Sequence, residues 1–243
     1  MRACFSHRLR GCLAMRFDIM TLFPDFVRSV LGESVIGRAQ KSGAIEVNTY
    51  NIRDYSKDKH HRVDDTPYGG GKGMLMMAPP IYDCYADILS CSPAEAKRRV
   101  IYLSPRGRVL NQKIARELAE YDQLILLCGH YEGVDARIID EIVDEEISIG
   151  DFVLTGGELP ACILTDAVAR LCDGVLAAPE CYENESLTEG LVEYPQYTRP
   201  AEFHGRAVPE VLISGHHANI EKWRREQALA ETERLRPDLL GKE

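Results

Sequence analysis

The sequence predicts an α/β fold: a mainly parallel sheet with helices on both of its faces. Three observations predict it. From residue 78 onward, short apolar strand-like runs alternate with amphipathic helical segments. The run 124–128 is apolar throughout, as in a strand that is buried on both faces. The 243 residues, 45% of them hydrophobic and 28% charged, are enough for one large domain, or for a medium domain with a small one.

The first elements follow from turn and cap signals. Pro24 suits the first position of a helix, and Gly43 suits the end of one. Alternation of apolar and polar residues predicts the strands that flank these helices. The chain therefore begins with a predicted strand over 16–23, helices over 24–31 and 33–41, and a strand over 45–50.

Residues 53–73 form a predicted loop, first dense in Lys, Arg and His and then in glycine, as Tyr68-Gly-Gly-Gly-Lys-Gly73. A loop of about twenty residues in a compact domain is usually functional. A Walker phosphate loop is excluded because Lys72 precedes glycine rather than Ser or Thr, and GxGxxG is missing as well. A flexible turn would explain the glycines, but we favour close approach of another backbone, such as RNA.

From residue 78 onward, predicted helices alternate with predicted strands, and this alternation defines the fold. An acidic segment with five Glu then separates it from a charged C-terminal helix. The predicted elements are helices over 79–89, 111–120, 134–142, 158–171 and 217–234, strands over 99–103 and 124–128, and an extended stretch over 147–154.

Three glycine-containing loops follow these strands, within 103–107, 129–133 and 149–157. Open α/β sheets bind ligands where parallel strands end. A tight strand-to-helix turn would explain each loop separately. Together, the loops predict one ligand that is held mainly by backbone N–H and C=O groups.

Charge and cysteine content limit the function classes. The formal charge of −9 excludes nucleic-acid binding through overall positive charge, but not through a local basic patch. The longest apolar run is too short to span a membrane. The eight cysteines include no CxxC pair and no His at zinc-ligand spacing, so we expect reduced thiols in a cytoplasmic protein and no metal site. We expect residues 1–14 to be a disordered extension or the result of a misplaced start; a transit peptide is the alternative.

Nine motifs together resemble one family, the bacterial tRNA (guanine-N(1))-methyltransferases. The longest are Ser148-Ile-Gly-Asp-Phe-Val-Leu-Thr-Gly-Gly-Glu-Leu-Pro160 and Tyr194-Pro-Gln-Tyr-Thr-Arg-Pro200. Each is weak alone, but all nine occur in family order. They lie at 18–24, 63–71, 73–77, 102–105, 129–133, 148–160, 166–170, 194–200 and 214–217.

The resemblance implies S-adenosylmethionine as methyl donor, leaves a role for Mg²⁺ open, and implies N(1) of guanosine 37 of tRNA as acceptor. It implies a trefoil knot, which periodicity would not suggest. It also implies a homodimer whose active sites are shared between subunits. The implied domains are a methyltransferase domain over 15–175, a flexible linker over 176–199 that carries the general base, and a small helical RNA-binding domain over 200–243.

Carried over position by position, the resemblance assigns site residues. Arg170, which spacing alone would pair with Asp166 on a helix face, falls on the catalytic arginine. Glu185 falls where the family usually has an aspartate base, so the carboxylate is kept on a longer side chain. The implied tRNA-binding residues are Lys57, Lys59, Arg62, Gly73 and Met74. The implied cofactor-binding residues are Leu103, Ser104, Pro105, Gly129, Tyr131, Glu132, Gly133, Ile149, Gly150, Asp151, Phe152, Val153, Leu154, Gly156, Gly157 and Pro160.

Two alternatives remain beside this interpretation. One is an RNA-binding protein of the same fold that has lost turnover, and the other is an enzyme of that fold that methylates a ribose oxygen or another RNA. The first would be expected to lose the acid or the arginine, but Glu185 and Arg170 are both present. The second would not explain the acidic linker together with the Tyr194–Pro200 motif.

Overall fold

A computed structural model describes residues 14–177 and 190–241. These residues belong to two compact units, which divide after Ala177. The predicted extension at 1–14 lies almost wholly outside the described residues. Neither described range contains a helix that is both long and apolar enough to cross a membrane.

The first unit is built on a five-stranded sheet in which every neighbouring pair is parallel, in the order β2-β1-β6-β5-β7. This confirms the α/β class and the mainly parallel sheet. A separate antiparallel pair, β3 and β4, lies within and after the predicted long loop. The strands are β1 Met15–Thr21, β2 Ile45–Asn51, β3 Asp64–Asp65, β4 Leu75–Met76, β5 Arg98–Val109, β6 Gln123–Cys128 and β7 Glu145–Ser148.

Two apolar clusters cover the two faces of the sheet, because alternate strand residues point to opposite sides. On β6, Leu124 and Leu126 join the cluster formed with α1, α2, α4 and α6, whereas Ile125 and Leu127 join the cluster formed with α3 and α5. All four side chains are fully buried. The helices are α1 Pro24–Leu31, α2 Ser34–Ser42, α3 Ala78–Ser90, α4 Gln112–Ala119, α5 Ala136–Ile142 and α6 Glu158–Ala169.

Three elements differ from the sequence prediction. The long loop contains a 3-10 turn, Ile52–Tyr55, where the Asn51 side chain accepts the Arg53 N–H. Strand β5 runs well past the predicted end at residue 103. Strand β7 stops at Ser148, well before the predicted end at 154, because the Ser148 hydroxyl bonds both backbone groups of Gly150. Each difference arises from a local side-chain bond or a register shift that hydrophobic periodicity does not encode.

The second unit contains a short hairpin and two helices. The hairpin pairs Glu202–Phe203 with Arg206–Ala207, and the helices are Glu210–Ile213 and His217–Leu235. Residues 190–199, at the end of the predicted linker, contact the long helix. The Val192 N–H donates to the buried Thr232 hydroxyl at 2.9 Å, and the Tyr194 and Tyr197 rings lie beside Trp223.

Candidate active site

A cleft of about 270 Å³ opens where β5, β6 and β7 approach their carboxyl ends. The three loops that the sequence singled out converge there. The predicted cofactor residues, Asp151 excepted, line the cleft: Leu103, Ser104, Pro105, Gly129, Tyr131, Glu132, Gly133, Ile149, Gly150, Phe152, Val153, Leu154, Gly156, Gly157 and Pro160. The structure therefore brings together residues that are up to 57 positions apart in sequence, from Leu103 to Pro160.

The first wall is a bulge inside β5. Both Leu103 and Arg108 are in register with Ile147 of β7, so the residues between them loop out of the sheet. The Arg106 guanidinium holds the bulge by an ion pair with Glu146 at 2.7 Å. At Gly107 an added Cβ would lie 2.3 Å from the Glu146 carbonyl carbon, so only glycine lets the strand rejoin the sheet. A strand prediction based on alternation has no signal for this excursion.

The second wall, 129–133, follows β6 directly. Tyr131 has a φ of +59°, a conformation that is uncommon outside glycine, and it directs its half-exposed ring to the cleft edge. The loop is fixed from outside: Glu132 N–H donates to the Met74 carbonyl at 3.0 Å, and Met76 N–H donates to the Gly133 carbonyl at 2.9 Å. The glycine-rich loop that precedes β4 is thereby joined to the cleft wall.

The third wall, 149–157, lies against the second. Gly157 N–H donates to the Gly129 carbonyl at 2.8 Å. An added Cβ at Gly157 would lie 2.7 Å from the Cys128 Cα, a backbone atom that has no room to move. At the outer edge, Phe152 and Val153 leave 54% and 82% of their surface exposed. The cleft thus combines close-packed backbone at its base with open apolar side chains at its mouth.

Five lining residues were not assigned from the sequence: Tyr102, His130, Ile147, Ser148 and Thr155. Tyr102 is buried, and burial raises the pKa of its phenol. His130 accepts the Tyr131 N–H at its Nδ1 atom, which supports the strained turn. Four of them directly adjoin assigned residues within the loop motifs, which was the available signal; Ile147, at the start of the predicted extended stretch, lies just outside these motifs.

This cleft suits a nucleoside-type ligand. It offers backbone donors and acceptors, apolar side chains and the Glu132 carboxylate, which are groups that can bind an adenine ring, a ribose and a cationic centre. Its base is formed by glycines where a Cβ would displace the ligand-facing backbone. The residues present therefore fit S-adenosylmethionine.

The predicted catalytic arginine lies away from the cleft. Arg170 directly follows α6, is half-buried, and its N–H donates to the Asp166 carbonyl at 3.2 Å. The cleft adjoins the opposite end of α6, where Glu158 begins the helix. Because an α-helix rises about 1.5 Å per residue, Arg170 lies about 18 Å from Glu158 along the helix axis. Glu185 lies outside the described residues. The structure does not bring Arg170 to the cleft of its own chain.

The predicted tRNA-binding cations are largely engaged within the protein. Lys57 contacts Asp83 at 2.8 Å, and Arg62 contacts Asp58 at 2.9 Å, which holds the pKa of that carboxyl well below its usual range. Within residues 14–177, Lys59 forms no ion pair.

The other two predicted tRNA-binding residues are near the cleft wall. Gly73 has a φ of +82°, and an added Cβ there would lie 2.5 Å from the Glu132 Cγ. Gly73 and Met74 thus adjoin the cleft, and RNA contact by all five residues stays a prediction.

Comparison with known proteins gives one consistent result. The sequence model of the family described as tRNA (Guanine-1)-methyltransferase matches residues 15–242. Three similar proteins are all named tRNA (guanine-N(1)-)-methyltransferase. The one from Ruminiclostridium cellulolyticum is 60% identical and covers 94% of this chain and 97% of its own. Those from Lachnospira eligens and Clostridioides difficile are 55% and 54% identical, over 93% and 94% of this chain and 94% and 98% of theirs.

Proposed function

The chain belongs to the tRNA (guanine-1)-methyltransferase family, and from this we propose that it methylates N(1) of guanosine 37 in tRNA with S-adenosylmethionine. The observation that carries the proposal is the convergence of three glycine-bounded loops on one cleft, within a chain that is matched by the family over 15–242. Relatives at 54–60% identity carry the same name. The alternative of ribose methylation has no comparable support.

We propose that the cleft holds S-adenosylmethionine, which supplies a methyl group activated by a positive sulfonium. Leu103–Pro105 and 149–157 would enclose the adenosyl part through backbone groups, and Glu132 offers a carboxylate for a cationic part of the ligand. The close contact of Gly157 with Cys128 keeps the backbone within reach of the ligand. Within residues 14–177 and 190–241, no group of three acidic, histidine or cysteine side chains is placed to hold Mg²⁺.

Two side chains are proposed to act on the guanine. Its N(1) carries a proton, so the nitrogen is not nucleophilic until a base removes that proton. Glu185 is the proposed base, because a carboxylate within hydrogen-bond reach can accept the proton as the methyl group is transferred. Negative charge then develops on the purine O6, and Arg170 is proposed to stabilise it with its guanidinium.

A homodimer with shared sites fits these positions. Arg170 lies about 18 Å along α6 from the cleft end of that helix, whereas an arginine side chain reaches less than half that distance. A second copy could supply the arginine. An apolar surface on α1 and α6 is available for such contact, formed by Phe23, Phe26, Val30, Leu159 and Ile163, each 42–48% exposed. We propose this surface, defined by these five residues, as the dimer contact.

The remaining features also follow from the family. We propose that the chain after β7 forms a trefoil knot, and that the helical unit from residue 200 onward binds RNA. The loop 149–157 lies tightly against β6, through the Gly157–Gly129 hydrogen bond, which is compatible with a threaded chain. We propose that the protein acts in the cytoplasm, where its tRNA substrate would be modified.

Methyl transfer tests the proposal. The purified protein is incubated with labelled S-adenosylmethionine and unmodified tRNA, and the RNA is then digested to nucleosides. We expect the label in 1-methylguanosine. Label in a 2′-O-methylnucleoside or in another base would contradict the proposed acceptor, and tRNA binding without label would indicate the non-catalytic alternative.

A further inference from the structure

Tyr68 is almost wholly exposed to solvent, at 99% of its surface. No function proposed above uses it. Its ring makes no contribution to the apolar core, whereas two other exposed aromatic residues of the first unit, Phe23 and Tyr82, retain more than half of their surface in contact with the protein. A large ring held in water is a common feature of surfaces that bind an aromatic or apolar partner.

The backbone fixes where this ring stands. Gly70 N–H donates to the Pro67 carbonyl at 3.3 Å and closes a turn with Tyr68 at its corner. Gly69 occupies the third position with a φ of +86°, which favours glycine in a turn of this kind. An added Cβ at Gly69 or Gly70 would meet nothing within 4 Å, so the backbone beside the ring is open to a large partner.

The other end of the same loop is attached to the cofactor cleft. Gly73 lies against the Glu132 side chain, and the Met74 carbonyl accepts the Glu132 N–H at 3.0 Å. Glu132 itself lines the cleft. Tyr68 is therefore five residues away along the chain from Gly73, which is a fixed point on the cleft wall.

The charge on the loop indicates the kind of partner. Lys72 is exposed and, within residues 14–177, forms no ion pair. An aromatic ring and a free cation on one glycine-rich loop match a nucleotide, because the ring can stack on a base while the cation attracts a phosphate. A purely apolar protein partner would not need the cation. Unpaired bases in RNA loops are commonly bound by such stacking.

We propose that Tyr68 stacks on an unpaired base of the tRNA beside the guanine to be methylated, and that Lys72 contacts an adjoining phosphate. This inference rests on the proposed function, since it takes the anticodon loop as the ligand. Tyr68 would then be an RNA-binding residue that positions the segment of the anticodon loop that carries the target guanine. The ring takes no part in proton or methyl transfer.

The test compares Tyr68→Leu with Tyr68→Phe in binding of unmodified tRNA at several salt concentrations. Leucine is apolar but cannot stack, so we expect tRNA affinity to fall about 5- to 150-fold, whereas phenylalanine should retain it. Because stacking releases no counterions, the salt dependence should keep its slope in Tyr68→Leu. In Lys72→Gln, by contrast, the slope should decrease by about one.

Cofactor affinity, measured by calorimetry, should be unchanged in all three variants. Tyr82→Leu, at an exposed tyrosine of α3, is the matched control and should bind tRNA normally. Equal tRNA affinity in wild type and Tyr68→Leu, or loss of a dimer in Tyr68→Leu by sedimentation, would overturn the inference; the second result would make the ring a contact to another copy. If wild type fails to methylate tRNA, the proposed function fails. If it methylates while Tyr68→Leu binds equally well, only this inference fails.

Discussion

The Thr21 hydroxyl donates a hydrogen bond of 2.8 Å to the Glu158 carboxylate in the interior of the first unit. Thr21 ends β1, and Glu158 begins α6 directly after the cleft loop 149–157. The same hydroxyl accepts the Phe23 N–H at 2.9 Å. One buried hydroxyl thus joins the start of α1 to the base of the cleft, where the other Glu158 oxygen lies behind Gly156.

Thr21→Val should lower the free energy of unfolding by about 1–3 kcal/mol, because it leaves a buried carboxylate and a backbone N–H without their partner. We expect cofactor affinity to fall as well, since Glu158 supports Gly156. Urea denaturation and calorimetry measure the two effects. Thr21→Ser keeps the hydroxyl, so it should retain most of the free energy of unfolding and most of the cofactor affinity. If valine and serine behave alike, the hydrogen bond is not what supports the loop.

Gly157→Ala should abolish most cofactor binding, with at least a tenfold loss of affinity. The added Cβ would meet the Cys128 backbone at 2.7 Å, so the loop has to move away from its place at the cleft base. Calorimetry with the protein alone measures this. Gly241→Ala, where a Cβ meets nothing within 4 Å, is the matched control. If Gly157→Ala binds the cofactor with wild-type affinity, the cofactor does not bind in this cleft.

Phe26→Glu should convert a dimer into a monomer, because it places a charge in the proposed apolar contact on α1 and α6. Sedimentation measures the mass, and we expect methyl transfer to be lost while cofactor binding remains. Val109→Glu, at an apolar residue with similar exposure on β5, should stay dimeric. A Phe26→Glu dimer with normal activity would show that the contact lies on another surface.

Glu185→Gln should lower turnover by about 10²–10⁴, since the amide keeps the shape but cannot accept the guanine proton. Cofactor affinity should stay the same, and Glu185→Asp should retain substantial activity. Glu183→Gln and Glu189→Gln are the matched controls, at acidic residues of the same segment, and should be nearly silent. If turnover is unchanged in Glu185→Gln but strongly reduced in one of the controls, a different carboxylate is the base.

Mixing protomers tests whether the site is shared. Arg170→Ala and Glu185→Ala should each be inactive, and their heterodimer should regain one working site if the two groups come from different subunits. Native mass spectrometry verifies the exchange of subunits. Activity that does not return after verified exchange would place both groups of a site in one chain.

The sequence predicted the α/β class because buried strands leave a clear apolar signal: the run at 124–128 is buried throughout β6. It also singled out the three loops, since glycines mark places where a Cβ has no room. It could not predict the excursion of β5, because Leu103 and Arg108 share one partner only through a register shift. Nor could it show that Lys57 and Arg62 are engaged by Asp83 and Asp58, since these ion pairs depend on side-chain placement.

Methylation of tRNA at one defined position tests whether the enzyme acts on N(1) of guanosine 37. Two transcripts of one tRNA, identical except for guanosine or adenosine at position 37, are incubated with the enzyme and S-adenosylmethionine, and the methylated nucleotide is located by mass spectrometry of RNase fragments. We predict 1-methylguanosine at position 37 of the first transcript and no methylation of the second. Equal methylation of both transcripts, or a methyl group at another position or atom of the first, would show that N(1) of guanosine 37 is not the acceptor.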